Sequence, residues 1–306
     1  MKKFDQSREI ALFIDKLRAF RNISQEDFLF EIVSMRQYRR YMNGDSTLSY
    51  HILDQLAKRL GFNAEFIIME LETEKLKQTK LINDLYNAVA GNNTDKAKEL
   101  LLNIDERHLI DDNNRLLFHH SKNLFDFISG INSEYVTIKR TKKLIDLEKL
   151  LKKKALSTSE LLIMVSFFYF KDFKEINVIA EKLASYMDNN ITIVSGHNIR
   201  VLALVLKELS RYFSITENYE RMLYYANEGI KYSKDMRSYY LLDTLYYFAG
   251  AACHELNRIK DRNDYLFKCI SLLHMEGNLE KISKYIELFK NNFDIGLQVF
   301  IDKLDY

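Results

Sequence analysis

The side chains best suited to recognising another molecule lie together between Ser34 and Gly44. This segment carries three arginines and a glutamine, and residues 35–43 contain no carboxylate to neutralise them. Arginine can form two hydrogen bonds to guanine in the major groove of DNA, and glutamine can do the same with adenine. The segment could therefore read the base sequence of double-stranded DNA. The candidate contact residues are Gln25, Ser34, Met35, Arg36, Gln37, Arg39 and Arg40.

A short helix is predicted to present these side chains. The hydroxyl of Ser34 can accept hydrogen bonds from the free amides of a first turn, and Gly44 can adopt the positive φ that follows a helix end. Tyr38 and Tyr41 are three residues apart, so they share a face that can pack on neighbouring helices. The other faces then carry the arginines and Gln37.

Helices are also predicted on both sides of this segment. Ser24 can begin one of them, with acidic residues in its first turn and Gln25 at its N-terminus, where such motifs contact a DNA phosphate. Ser49 can begin the other, which carries leucines at helical spacing and ends at Gly61. Three short helices with tight connections form a helix-turn-helix unit whose second helix enters the groove. The alternative is a buried helix hairpin with incidental arginines.

Residues 8–68 resemble the XRE/Cro-type helix-turn-helix family, and the run from Gly44 to Ser49 resembles the Rgg-type branch of that family. One position departs from the usual pattern. The glycine that commonly precedes the Val-Ser pair of the recognition helix is absent, and Ile32 stands directly before Val33 and Ser34. The resemblance implies that residues 8–68 fold as a helix-turn-helix unit.

The composition of the whole chain predicts an all-α protein. Its 306 residues contain no proline and only 9 glycines, so little interrupts helices and little supports tight β-turns. The formal charge of +2 gives no general basic field, so any affinity for DNA must come from a local patch. The longest apolar stretch, 161–170, is too short to span a membrane, which predicts a cytoplasmic protein that has no membrane partner.

The chain is predicted not to be an enzyme and to bind neither a metal nor a cofactor. It has no Gly-rich phosphate loop, no HExxH motif and no GxSxG motif. Cys253 and Cys269 lack metal-ligand spacing, and their places in the predicted repeats favour buried, inert thiols over a redox pair. His119 and His120 are adjacent and point to different faces of a helix, which favours surface or hydrogen-bonded histidines over metal ligands.

Three segments are predicted along the chain. Residues 1–70 form the DNA-binding head, 71–80 a polar helical linker, and 81–306 an array of helix pairs that can stack as a solenoid. Apolar residues recur three and four apart in the middle of the array, which predicts helices over 113–129, 134–154, 157–170, 173–188 and 197–213. The basic stretch 139–154 is interpreted as a solvated helix face, with contacts to DNA phosphates, an acidic peptide or a membrane as alternatives.

Two later stretches resemble tetratricopeptide (TPR) repeats. Residues 218–230 resemble the second helix of such a repeat, and residues 245–272 resemble a complete unit, with Ala249 and Gly250 in the place of its Leu-Gly pair. Arg262 departs from the pattern, because a small residue is usual at that place. The array is therefore predicted to be TPR-like and irregular.

The head, linker and array together resemble the Rgg/PlcR/PrgX group of bacterial regulators, also called RNPP. The resemblance implies a homodimeric, cytoplasmic transcription factor whose repeats bind a short signalling peptide imported from outside the cell. A single reading helix per chain also requires a dimer on a near-palindromic operator, since one helix makes few base contacts. A phage arbitrium receptor has a similar plan. The competing interpretation is a repressor whose array only dimerises or binds a protein partner.

Six residues are candidates for lining the peptide groove: Tyr169, Asn198, Thr244, Tyr247, Ala251 and His254. The TPR register points the last four inward from the first helix of a repeat. An extended peptide needs partners for its own amides, because burying them unpaired costs several kcal/mol. Asn198 suits this role, since its side chain both donates and accepts.

Overall fold

The computed structural model describes residues 6–171, 173–189 and 199–293, and the regular elements within these ranges are all helical. The predicted all-α class is confirmed. The chain divides after Arg140 into two compact units, and the division falls inside the eighth helix. No helix in the described ranges is both long enough and apolar enough to cross a bilayer.

The first unit begins with the helix-turn-helix head. The helices of the first unit that end before the division are α1 (Ser7–Phe20), α2 (Gln25–Leu29), α3 (Met35–Asn43), α4 (Tyr50–Arg59), α5 (Ala64–Ala90), α6 (Thr94–Asn103) and α7 (Asp112–Ile128). The hydroxyls of Ser24, Ser34 and Ser49 each accept from the backbone amide three residues onward, and Gly44 follows α3 with a φ of 80°. The predicted helix starts and the predicted stop of α3 are confirmed.

The two tyrosines of α3 fix that helix to the rest of the head. Tyr38 is fully buried, its hydroxyl donates to the carbonyl oxygen of Ala11 over 3.3 Å, and its ring meets the edge of Phe28 at 6.2 Å between centroids. Burial raises the pKa of Tyr38, so the hydroxyl stays protonated. Tyr41 is buried one turn later. α3 is thus oriented by packing on a core that its own arginines do not enter.

The predicted linker is the interior of α5, a single helix of 27 residues. Gln78 in its middle is buried and bonded on both sides of its amide. It donates to the carbonyl of His108 over 2.9 Å and accepts from the backbone amide of Ile110 over 3.1 Å. Ile110 itself belongs to the hydrophobic core of the head. The proposed division at residues 70–80 remains a prediction, because head, linker and the first array helices share one compact unit.

The second unit continues the array. Helix α8 (Glu134–Ile145) crosses the division. The helices that follow it are α9 (Leu147–Lys152), α10 (Thr158–Ser166), α11 (Ile176–Asp188), α12 (Ile199–Ile215), α13 (Tyr219–Asp235), α14 (Leu242–Glu255), α15 (Ile259–Glu276) and α16 (Leu279–Phe293). The prediction of one helix over 134–154 is wrong. Asp146 adopts a φ of 46° between α8 and α9, and its carboxylate caps the amide of Lys149.

Helix α14 approaches its two neighbours, α13 and α15, closely at two glycines. A Cβ placed on Gly250 would lie 2.6 Å from Leu266, and one on Gly229 would lie 2.6 Å from Leu245. Both distances are shorter than side-chain carbons normally allow, so a side chain at either position would displace the facing leucine. This explains in physical terms the small residues of the TPR-like register.

Burial keeps three titratable side chains, Cys253, Cys269 and His120, in their uncharged forms. Cys253 and Cys269 are buried free thiols, as predicted; burial raises the pKa of Cys253 to about 11 and that of Cys269 well above its ordinary value. The prediction for His120 is wrong, since its ring is fully buried and neither nitrogen has a partner among the described residues. Burial lowers the pKa of His120 to about 3.

Candidate DNA and peptide sites

One face of α3 carries three arginines that reach solvent. Arg36, Arg39 and Arg40 are exposed and, being three and four residues apart, lie on the same side of the helix. Tyr38 and Tyr41 are buried on the opposite side. Among the residues that the structure describes, no carboxylate pairs with these three guanidinium groups. The arginine face therefore keeps its charge available for an anionic partner such as a phosphate backbone.

Gln37 stands beside this face and is already bonded within the head. Its Nε2 donates to the hydroxyl of Ser46 over 2.9 Å, and its Oε1 accepts from Arg40 at 3.4 Å. Ser34 caps the helix, and Met35 beside it is half-buried. In the described part of the chain, the second N–H of Nε2 and the second lone pair of Oε1 are not used by these bonds and can contact a base.

Gln25 occupies the first residue of α2, as predicted, and its side chain turns toward α1. Its Nε2 donates to a carboxylate oxygen of Asp15 over 3.0 Å, and that carboxylate also pairs with Arg18 at 2.8 Å. The side chain of Gln25 is therefore held at the surface of the head.

The turn between α2 and α3 is built without glycine. The positive φ falls on Glu31, at 60°, one residue before the family's usual glycine position at Ile32. Arg59 of α4 donates to the carbonyl oxygens of Asp27 and Phe30, each over 2.8 Å. These carbonyls lie at the end of α2, where the helix itself provides no donors. The guanidinium of Arg59 thus fixes the chain that leads into α3.

Sequence reasoning missed one polar side chain of the arginine face. Asn43, the last residue of α3, is exposed and follows Arg36 by seven positions and Arg39 by four. This spacing places it on the same side of the helix. Asparagine can bond adenine through two hydrogen bonds. Helical spacing from Arg36 was the signal that could have identified it.

The predicted inward face of α14 is partly covered by α16. Tyr247 is buried, and its ring lies within 6.1 Å of the ring centroids of Tyr285, Phe289 and Phe293. Its hydroxyl accepts from the side-chain amide of Asn292. Tyr247 therefore packs within the array rather than lining an open surface.

The other three candidates on α14 are half-buried. The hydroxyl of Thr244 lies 3.0 Å from that of Tyr285, and the ring of His254 meets the ring of Phe293 at 5.3 Å and the guanidinium of Arg262 at 3.2 Å. Ala251 lies one turn before His254. The structure brings these side chains to one face of α14, as predicted, and contacts from α15 and α16 limit their access.

The two remaining peptide candidates belong to other parts of the array. Tyr169 ends a short 3₁₀ turn, Phe167–Tyr169, that follows α10, and it is half-buried. Asn198 lies outside the described residues.

An open cleft of about 760 Å³ lies in the second unit, near the start of α14. It is lined by Arg200, Arg237, Ser238, Tyr239, Tyr240, Leu241, Asp243, Thr244, Leu272, Met275, Glu276 and Lys281. Of the predicted peptide residues that the structure describes, only Thr244 reaches it. Its volume lies in the range of small-ligand pockets. In the described ranges, no group of three or more His, Cys, Asp or Glu side chains is placed to hold a metal ion.

No family model matches the sequence, and no curated protein matches it either. Several solved structures resemble the fold. PlcR from Bacillus thuringiensis in its apo form has a TM-score of 0.58 at 13% identity, covering 91% of this chain and 99% of its own. ComR from S. thermophilus, solved with DNA and its signalling peptide, has a TM-score of 0.57 at 15% identity, covering 92% and 98%.

PlcR in complex with the peptide PapR7 and DNA is a third such structure, with a TM-score of 0.53 and 14% identity over 90% of this chain and 98% of its own. Identities this low carry no information on individual site residues. The likeness nevertheless extends over nearly the whole of both chains. The present chain therefore has the fold of PlcR and ComR, a helix-turn-helix head followed by a TPR-like helical array.

Proposed function

We propose that the chain is a transcriptional regulator that binds double-stranded DNA through α3. The observation that carries this proposal is the arginine face of that helix. Arg36, Arg39 and Arg40 are exposed and form no ion pair with the described residues, while buried tyrosines fix the opposite face. A rigid helix with an uncompensated positive face fits the major groove in shape and charge.

The regulator acts in this proposal as a cytoplasmic homodimer on a near-palindromic operator. Each chain contributes one short reading helix, and one helix provides too few base contacts for affinities of about 10⁻⁸ M or tighter. Two copies would contact half-sites about 34 Å apart, or a multiple of that distance.

Selection of duplexes from a random pool tests the DNA-binding proposal. The full-length chain is expected to enrich a near-palindromic site, and light scattering is expected to show a dimer free and on that site. A variant with alanine at Arg36, Arg39 and Arg40 should enrich nothing. Lys80→Ala, an exposed cation on α5, is the matched control and should select as the parent does. A monomer in both states would contradict the dimer, and full affinity of the triple variant would contradict the groove assignment.

We propose further that the array binds a short signalling peptide. PlcR and ComR, which have the same fold, were each solved with a peptide. The half-buried polar side chains of α14 and the adjoining cleft offer partners for a peptide backbone. A peptide that stabilises the chain in a thermal-shift screen is used for calorimetry on Thr244→Ala, His254→Ala and Asn198→Ala proteins of unchanged melting temperature, which tests the assignment. Parental affinity in all three would place the groove elsewhere.

One observation favours a second candidate, an array that serves dimerisation or a protein partner. The ring of Tyr247, predicted to face the groove, is covered by aromatic side chains of α16. A surface that is filled by its own chain needs no ligand. A thermal-shift screen against short synthetic peptides separates the two candidates, because a bound peptide stabilises the fold and an array without a peptide site gives no shift.

A further inference from the structure

The charged residues that line the cleft beside the start of α14 are of two kinds. Some are paired with each other: Lys281 pairs with Glu276 at 2.6 Å and with Asp243 at 3.3 Å. The buried carboxylate of Asp243 also accepts from the hydroxyl of Tyr285 over 2.9 Å. Both acidic groups of the cleft thus already have partners within the array.

Two other cations of the cleft have no acidic partner among the described residues. Arg200 and Arg237 are exposed, and within the described ranges neither forms an ion pair. The guanidinium of Arg200 lies over the ring of Tyr240 at 5.5 Å. Stacking holds a guanidinium in place while leaving its edge free to donate to a carboxylate. Both guanidinium groups are therefore available to an anionic ligand in the cleft.

Large apolar side chains stand exposed at the same place. Tyr239 is 72% exposed and Met275 is 74% exposed, and both line the cleft. Leu272 lies beside them. Exposed apolar groups that surround a concavity mark a surface for a ligand with an apolar part. Apolar and cationic groups in one cleft restrict the ligand to a molecule that carries both an anion and an apolar group.

We propose that this cleft binds the C-terminal end of a short peptide, with its free carboxylate on Arg200 and Arg237 and an apolar last side chain against Tyr239, Leu272 and Met275. A terminal carboxylate is attached directly to the carbon that bears the last side chain, so both groups enter the cleft together. Arginine matches the planar carboxylate through two parallel hydrogen bonds. The inference rests on the proposed peptide-binding function and specifies where the peptide ends and which terminus is recognised.

The test uses two synthetic heptapeptide libraries randomised at every position, one ending in a free carboxylate and the other in an amide. The full-length chain is incubated with each, bound peptides are separated by gel filtration, and mass spectrometry identifies them. Retained sequences are then made in both forms for calorimetry. Free acids with an apolar last residue should be enriched, and they should bind roughly 10- to 100-fold more tightly than their amides.

Variants locate the effect. Arg200→Gln and Arg237→Gln should bring the affinity for the free acid toward that of the amide, with melting temperatures unchanged. Lys231→Gln, an exposed cation of α13 that does not line the cleft, should keep the preference. Equal binding of acid and amide by the parent would overturn the assignment while leaving a peptide receptor in place. Retention of no peptide from either library would instead remove the proposed peptide-binding function, and this inference with it.

Discussion

The side-chain amide nitrogen of Gln37, in α3, donates a hydrogen bond over 2.9 Å to the hydroxyl of Ser46, in the loop that follows this helix. This bond orients Gln37 before any DNA is bound. An amide that is already oriented loses little conformational entropy when it contacts a base. In the proposed DNA complex, the loop after α3 would therefore contribute to recognition through Ser46, a residue that need not touch DNA.

Ser46→Ala is expected to relax base preference more than overall affinity. Without its anchor, the amide of Gln37 gains freedom and discriminates less well at the base it contacts. Repeating the duplex selection with the variant measures the preference at each position. Thr47→Ala, an exposed neighbour, should select as the parent does. Unchanged stringency at every position of the site would show that the bond has no role in reading.

Arg36→Ala is expected to cost ~1–3 kcal/mol of operator binding and to relax the preference at one base pair, because Arg36 lies in the first turn of α3. Arg40→Ala should instead weaken all duplexes alike and lower the salt slope by about one, if Arg40 contacts a phosphate. Fluorescence anisotropy on the selected and a scrambled duplex, at several salt concentrations, distinguishes the two effects. Identical behaviour of both variants would contradict the assigned orientation.

Glu31→Gly is expected to stabilise the head by up to ~1 kcal/mol. A residue with a side chain pays roughly 1–2 kcal/mol for a left-handed backbone, and the greater freedom of glycine in the unfolded chain offsets part of that gain. Glu26→Gly, inside α2, should destabilise by about 1 kcal/mol and serves as the control. Urea unfolding measures both, and a loss of stability in Glu31→Gly would show that the carboxylate has a role that its backbone conformation does not reveal.

The free energy of unfolding is expected to fall in mild acid because of His120. Its pKa is lowered to about 3 by burial, whereas an unfolded histidine titrates near pH 6.5. Between these values the unfolded state binds one proton more, so stability is complete above pH 6.5 and declines as the pH falls, by about 1.4 kcal/mol per pH unit.

Urea unfolding of His120→Leu from pH 7 to pH 4 measures this contribution. Below pH 6.5, the free energy of unfolding of the variant should fall less steeply than that of the parent, by about 1.4 kcal/mol per pH unit. Leu117→Ala, a buried residue of the same helix without a titratable group, should lower stability at every pH and keep the parental slope. Parallel curves for the parent and His120→Leu would show that burial does not lower the pKa of this imidazole in the folded protein.

The local features of the head could be predicted because they depend on neighbours in sequence. Serine caps, the glycine after α3 and the paired tyrosines each act within one helical turn. The break at Asp146 also had a local signal, since aspartate is a strong cap, but continuous helical periodicity on both sides concealed it.

The inward face of α14 could not be predicted in the same way. The position of Tyr247 on its helix follows from register, but its burial depends on where Phe289 and Phe293 arrive, some forty residues later. The cleft is likewise assembled from α12, α14, α15 and α16. Such contacts are long-range, so periodicity identifies the helices without fixing which surfaces stay open.

The continuity of α5 has a mechanical consequence. Its 27 residues, free of glycine, span about 40 Å without a hinge. A helix of this kind transmits twist as well as displacement, so the rotational phase between its two ends is set by residue count alone. One inserted residue would turn one end against the other by about 100°, whereas seven would nearly restore the phase. The number of residues in α5 therefore sets the rotation of one end of the helix relative to the other. Insertions of seven residues should be tolerated better than insertions of one.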